Sequence, residues 1–342
     1  MGPEVAELEQ VLAKFCQVNQ AITCSSGTDA LLLPLMAWGV GPGDAVFLPS
    51  FTFPATAEVV ALVGATPILC DVLPDSFNLD PWSLEAAIAD IGTAGSLIPK
   101  VIIAVDLFGL PADYASIRSL ADHHGLKVLA DAAQSLGASV LGHPVGSLAD
   151  ATATSFFPAK PLGCYGDGGS VFTDDKQLGD AIRSIRSHGK GSSKYEAERI
   201  GLNARLDTLQ AAVLISKLEV FPQELVFRSK IAHRYRDGLS GLAMLQSVPP
   251  NVKSAWAQFT LRTKNRDALA TALGSVGIDT AIYYPYPIHR QRAYASARVA
   301  PGGCPVADQL SSDVLSLPMH PYLTEVVQDF ILEEAGRILQ GG

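Results

Sequence analysis

The sequence predicts an α/β protein, with a large domain on a mainly parallel sheet and a smaller α+β domain at the C-terminus. Three observations predict it. Short β-rich runs alternate with longer helical patterns over the first two thirds of the chain. Several of those runs lack polar alternation, as strands covered by helices on both faces should. After residue 220 the pattern changes to isolated strand and helix candidates joined by an aromatic, proline-rich passage.

The strands read, in order, as 44–50 (DAVFLPS), 66–72 (TPILCDV), 101–109 (VIIAVDLFG), 127–133 (KVLADAA) and 151–157 (ATATSFF). Between them, 57–64, 81–90 and 114–125 read as helices. A long helical pattern starts near Leu206 and runs through LDTLQAAVLISKLEVF. Beyond it, 254–263 reads as a strand and 266–277 as a helix closed by Gly277. The expected division is 1–220 and 221–342. Reactive groups in such sheets lie beyond the carboxyl ends of the strands, so the residues that follow each strand matter most.

Composition narrows the function. A chain of 342 residues that is 48% hydrophobic, with mean hydropathy +0.23, can bury one large core and a second, smaller one. Charged residues make up 17%, a low fraction that fits a surface largely covered by a partner chain. The net charge of −9 argues against nucleic acid and anionic membranes as partners, while leaving room for an anion in a local basic pocket. Five scattered cysteines without CxxC spacing argue against a disulfide framework or a zinc site and for a reducing compartment. The N-terminal MGPEVAELEQVLAKF is amphipathic and acidic, unlike a secretory signal. Apolar runs are broken by Pro, Gly and Asp short of membrane-spanning length. A cytoplasmic protein is expected.

Three stretches carry chemistry. In CSSGTDALLLPLMAWG, Ser25, Ser26, Gly27 and Thr28 directly precede an apolar helical run. A helix start of this kind either is an ordinary cap or offers free N–H groups and a favourable dipole to a phosphate. In VLADAAQSLGA, Asp131 ends a strand that should be buried. A desolvated carboxylate there needs a partner, either the next helix start or the protonated ring nitrogen of a cofactor. In TSFFPAKPLGCYGDGG, Lys160 stands between two prolines among apolar and glycine neighbours. Desolvation would lower its pKa and make it a nucleophile toward an aldehyde. The glycines after it do not have the G-x-G-x-x-G spacing of a dinucleotide fingerprint, which argues against a nicotinamide oxidoreductase. An anion cradle, an acid and a lysine at successive αβ junctions suit pyridoxal phosphate, with Phe51 or Phe53 of PSFTFPATAE to stack on its ring.

At this point the chain resembles the pyridoxal-phosphate sugar aminotransferases of the DegT/StrS type, which have the aspartate-aminotransferase-like fold (fold type I). The motifs are SSGTDAL, PSFTFPATA, ADAAQSLGA, SFFPAKPLG with GDGG, GLNARLDTLQAA and SLPMHPYL, in the family's order across almost the whole chain. The lysine and RLDTLQAA stretches look most like members that act on UDP-2-acetamido-2-deoxy-3-oxo-glucuronate, with glutamate as donor, in bacterial O-antigen and lipopolysaccharide synthesis.

The resemblance implies that Lys160 binds the cofactor aldehyde and carries the proton, and that Asp131 pairs with the ring nitrogen. It implies that Gln134 lies near the ring, that Phe53 stacks on it, and that Gly27, Thr28 and Ser155 hold the phosphate. Asn203 is expected to reach the phosphate of a neighbouring subunit, making a homodimer with shared sites. Tyr283, Tyr284, His289 and His320, with Arg205 and His188, are the expected substrate residues, the last two as partners of the sugar's carboxylate or pyrophosphate.

Two departures accompany the resemblance. Members usually carry roughly thirty residues before the GPEV that here begins at Gly2, a segment expected to contribute to the substrate mouth. Tyr283 stands where a histidine is common. A pyridoxamine-phosphate dehydratase would have histidine at position 160. A non-catalytic regulator or scaffold of the same fold is the rival from another class.

Overall fold

The structure, a computed structural model, describes residues 1–191, 193 and 196–341. In chain order the elements are α1 (Pro3–Cys16), β1 (Gln20–Cys24), α2 (Gly27–Ala37), β2 (Asp44–Pro49), α3 (Ala55–Leu62), β3 (Thr66–Cys70), α4 (Pro81–Ala94), β4 (Ile98–Val105), α5 (Tyr114–His124) and β5 (Lys127–Asp131). The short β6 (Ser139–Val140) and β7 (His143–Pro144) follow, then β8 (Ala151–Ser155), β9 (Gly169–Thr173), α6 (Lys176–Ile185) and α7 (Thr208–Leu239). The chain closes with β10 (Met244–Leu245), β11 (Val252–Lys253), β12 (Phe259–Arg262), α8 (Arg266–Ser275), β13 (Arg298–Val299), α9 (Pro305–Asp313), β14 (Val314–Leu317) and α10 (Glu325–Gly341).

One eight-stranded sheet, ordered β1-β9-β8-β5-β4-β2-β3-β13, forms the centre. Every neighbouring pair from β8 to β13 is parallel, and β9 alone runs against its neighbours β1 and β8. Alternate residues feed opposite cores. Val46, Leu48, Ile103 and Leu129 join the core under α2, α3 and α6, whereas Ala45, Phe47, Ile102 and Ala104 join the one under α4 and α5. Both faces are buried, which is why these strands show no polar alternation. Removing the fully buried Phe47 ring by Phe47→Ala is expected to cost about 3–5 kcal/mol, read as a lower denaturant midpoint.

The strands end sooner than the sequence predicts. β4 stops at Val105 because Phe108 (φ 63°) and Gly109 (φ 100°) turn the chain in left-handed geometry. The strand read at 254–263 shrinks to β12, since Trp256 has φ 49°. The helix read from Leu206 extends to Leu239, through Pro222 and through residue 221. Its first half packs in the core with α1, and its second half packs with β12, α8, β14 and α10. There the antiparallel sheet β10-β12-β14 forms a second layer of strands.

β9 brings two other strands close. Gly169 pairs with Cys24 on one side and Ser155 on the other. A Cβ at Gly169 would lie 2.3 Å from the Ser26 carbonyl oxygen.

Candidate active site

A cavity of about 470 Å³ opens where β1, β2, β5 and β8 end. The position follows from the topology, because each of these strands delivers its next residues to the same edge.

At one side β1 runs into α2. Ser26 caps the helix, its Oγ accepting from Asp29 N at 3.0 Å and its carbonyl from Ala30 N at 3.0 Å. Among the described residues the N–H groups of Gly27 and Thr28 have no protein acceptor, as expected of a helix start. Ser155, the last residue of β8, faces them: a Cβ on Gly27 would sit 2.6 Å from the Ser155 Cβ. Only a glycine leaves this cradle open. The Ser155 hydroxyl oxygen accepts from Phe157 N at 3.2 Å, so its hydrogen remains to donate.

Asp131 is the last residue of β5 and lines the cavity. Its Oδ2 accepts from Thr56 Oγ1 at 2.9 Å and its Oδ1 from Ala133 N at 3.3 Å. Burial raises its pKa, against these donors and the nearby Lys160 amine. Lys160 lies in the turn after β8, its N–H donating to Phe157 O at 2.9 Å. Burial pushes its pKa down and Asp131 partly restores it. The two groups share one largely apolar cavity and each sustains the other's charge.

Gln134 bridges two walls: Oε1 accepts from Phe108 N at 2.5 Å and Nε2 donates to Tyr284 Oη at 3.2 Å. Burial raises the Tyr284 hydroxyl's pKa. Behind Gln134, Asp106 accepts from Ser135 Oγ (2.6 Å), Ala112 N and Tyr114 Oη (2.9 Å each), and burial lifts its pKa to about 7. Phe53, 56% exposed, lines the cavity, while Phe51 is fully buried in the core.

The structure thus gathers Gly27, Thr28, Phe53, Asp131, Gln134, Ser155, Lys160, Tyr283 and Tyr284 around one cavity. It does not bring His188, Asn203, Arg205, His289 or His320 to that cavity within one chain. Asn203 and Arg205 are exposed and joined, Arg205 Nε donating to Asn203 Oδ1 at 3.1 Å, on a segment whose Ala204 and Leu206 point inward. His188 is exposed with φ 65°. His320 is exposed and beside Arg228; partial burial and that guanidinium lower its pKa. His289 is engaged elsewhere, with Ser50 and Asp308. Sequence reasoning missed Thr56 and Asp106. Thr56 was visible only as one hydroxyl in the quoted PSFTFPATA stretch.

Comparison with known proteins settles the family. The DegT/DnrJ/EryC1/StrS aminotransferase family matches residues 1–334. The chain belongs to this family. One member, UDP-2-acetamido-2-deoxy-3-oxo-D-glucuronate aminotransferase of Pseudomonas aeruginosa, is 46% identical over 324 residues, covering 94% of this chain and 87% of that protein. A crystal structure of a DegT/DnrJ/EryC1/StrS aminotransferase from Brucella abortus superposes with TM-score 0.98 at 51% identity, covering 99% of this chain and 91% of that one. The structure of ntda from Bacillus subtilis with bound cofactor PMP (pyridoxamine phosphate) matches with TM-score 0.88 at 30% identity, covering 99% of this chain and 78% of that one.

The protein is therefore a DegT/StrS-type, pyridoxal-phosphate-dependent aminotransferase of the aspartate-aminotransferase-like fold. The residues present fit that cofactor. The Gly27 cradle has room and donors for a phosphate, the buried carboxyl of Asp131 suits a cationic ring nitrogen, and the depressed amine of Lys160 suits an aldehyde. Among the described residues no helix is long and apolar enough to cross a membrane.

Proposed function

We propose that the protein moves an amino group from glutamate to a nucleotide-linked ketosugar, UDP-2-acetamido-2-deoxy-3-oxo-glucuronate, in the cytoplasm, for a bacterial surface polysaccharide such as O-antigen. The observation that carries the reaction is the sharing of one cavity by Lys160 and Asp131 beside the Gly27 cradle. The sugar follows from the 46% identity to the Pseudomonas aeruginosa enzyme and that enzyme's name. The five cysteines are unpaired and buried, in keeping with a reducing compartment.

Pyridoxal phosphate, when bound, supplies an aldehyde that takes up an amine and a ring that accepts the electron pair released at the reacting carbon. Lys160 Nζ would be the nucleophile toward that aldehyde and then the base that carries the proton. Asp131 would keep a proton on the ring nitrogen, and the Thr56 hydroxyl holds the Asp131 carboxylate in place by donating to Oδ2. Gly27, Thr28 and Ser155 would hold the phosphate through N–H and O–H donors. Phe53 would cover one face of the ring, and the Tyr284 ring, 6.2 Å from Phe53 and bonded through its hydroxyl to Gln134, continues that aromatic wall. Tyr283 and Tyr284 are the wall a nucleotide sugar would meet.

A homodimer fits the remaining residues. Asn203, Arg205 and His188 lie exposed beside apolar side chains that face solvent in a single chain, among them Ile200 (85% exposed) and Leu209 (78%). Nearby, Leu32, Met36, Leu62 and Ile200 line a second, apolar cavity of about 720 Å³. A second copy covering this face would bury that surface and carry Asn203 and Arg205 to its partner's cradle. His320 remains a substrate residue only if domain closure brings it to the cavity.

Incubation with glutamate and a panel of UDP- and dTDP-linked ketosugars tests the assignment by the mass of the nucleotide product. Amination of the UDP-linked 3-keto acid is expected. Conversion of dTDP sugars alone would overturn the substrate, and no conversion of any, with no loss of the cofactor's colour on adding glutamate, would favour the regulator or scaffold reading.

A further inference from the structure

One half-buried histidine uses both ring nitrogens away from the cavity. His289 Nδ1 lies 2.6 Å from Ser50 Oγ, and Nε2 lies 3.0 Å from Asp308 Oδ1. Asp308, in α9, receives Arg290 Nε and Nη2 at 2.9 and 2.6 Å. Those bonds hold its carboxyl below the ordinary carboxylate value. An ionised Asp308 only accepts, so Nε2 carries the ring hydrogen and Nδ1 accepts from the Ser50 hydroxyl. Ser50 is fully buried, and its carbonyl also accepts from Ile288 N at 2.8 Å. The first residue after β2, the turn at Ile288–Arg290 and α9 therefore meet at one imidazole.

The same two segments build the aromatic wall of the active-site cavity. Ser50 leads directly to Phe51 and Phe53, and His289 closes the passage that begins at Tyr283. The Tyr284 ring lies 6.1 Å from Phe51 and 6.2 Å from Phe53, and its hydroxyl meets Gln134. Their mutual placement depends on where the segments are pinned.

We propose that His289 is a positioning residue: clamped between Ser50 and Asp308, it fixes the Tyr283–Tyr284 segment against the exit of β2 and so sets the nucleotide-sugar wall of the cavity. The proposal rests on the aminotransferase reading above and replaces direct substrate contact as the role of His289. The clamp works with a neutral ring. Burial lowers the His289 pKa below the ordinary 6.5 and outweighs the attraction of Asp308, with Arg290 adding to the lowering and Asp71 opposing it. Cys304 is the other titratable group at Ser50. The sign follows from the depressed value. Above pH 6.5 the ring is neutral and Ser50 donates to Nδ1; as pH falls through the folded-state pKa a proton on Nδ1 reverses that bond, and the Ser50 hydroxyl turns to accept it.

The test uses full-length holoenzyme as wild type, His289→Gln and Ser50→Ala, the serine change being small enough to spare folding. In both variants KM for the ketosugar is expected to rise roughly tenfold, with the cofactor's visible band, its bleaching by glutamate and kcat near wild type. Nitrogen-15 NMR of the wild-type ring should find Nε2 protonated and Nδ1 bare at pH 7.5. Unchanged KM in both variants, or slowed glutamate bleaching in either, would overturn the clamp. Wild type that does not bleach with glutamate would remove glutamate as the donor, a failure distinct from that of the clamp.

Discussion

Lys160→Ala is expected to abolish transamination, lowering turnover by at least about 10³-fold, because in the proposed mechanism one side chain supplies both the nucleophile and the proton carrier. The variant should retain pyridoxal phosphate only weakly and lack the yellow band of the wild type, while melting as a folded protein. The amine sits in a cavity where burial lowers its pKa, so its removal deletes a costly charge along with the chemistry. Absorbance spectra and single-turnover assays with glutamate check both halves. Turnover within tenfold of wild type would mean another group performs the chemistry.

Asp131→Asn should separate function from stability. The amide keeps the shape and a bond to Thr56 but cannot hold a proton on a ring nitrogen. Turnover is expected to fall about 10²–10³-fold, as when a single preorganised electrostatic group is lost. The cofactor-free protein should behave in the opposite sense. Burial raises the Asp131 pKa, so the folded state binds this proton more tightly than the unfolded chain. The acid's contribution is then favourable at low pH and is lost as pH rises through the folded-state value. The asparagine has no such loss, so the cofactor-free variant should melt no lower than wild type at pH 8. A slower enzyme that is no less stable would be hard to explain by damage to the fold. Calorimetry of the apo protein beside steady-state kinetics of the holoenzyme makes the comparison.

Much of this arrangement is legible in the chain because the chemistry sits next to strand ends. Asp131 closes a run of buried residues, and Gly27 and Lys160 each follow a strand within a few positions. Five strands of the central sheet read directly, four because burial on both faces removes polar alternation and β8 (ATATS) because two phenylalanines follow its small residues. β1 and β9 do not. Each is five residues long and mixes polar with apolar side chains, and the reversed direction of β9 is a tertiary fact without local signal. Contacts between distant segments were equally hidden. Ser50 and His289 are 239 positions apart, and Gln134 and Tyr284 are 150 apart, so no spacing rule connects them. Phe51 and Phe53 were indistinguishable by type, and only the fold sends one to the core and the other to the cavity. His188, Asn203 and Arg205 lie outside a single chain's cavity, where motif order says nothing about distance.

The squeeze around Gly169 has a bearing on how this chain can drift over generations. The protein has 30 glycines, and several are replaceable in principle because open space surrounds them. At Gly169 the backbone angle is not the obstacle, since its φ is not among the positive ones. What closes the position is the Ser26 carbonyl oxygen, 2.3 Å from where a Cβ would sit, on the residue that caps α2. Any codon change there would spread the two strand ends on which the cradle and the lysine turn are mounted. A saturation library at 169 should return glycine alone, whereas one at Gly39 or Gly43, which have open surroundings and need only tolerate a left-handed φ, should also return asparagine.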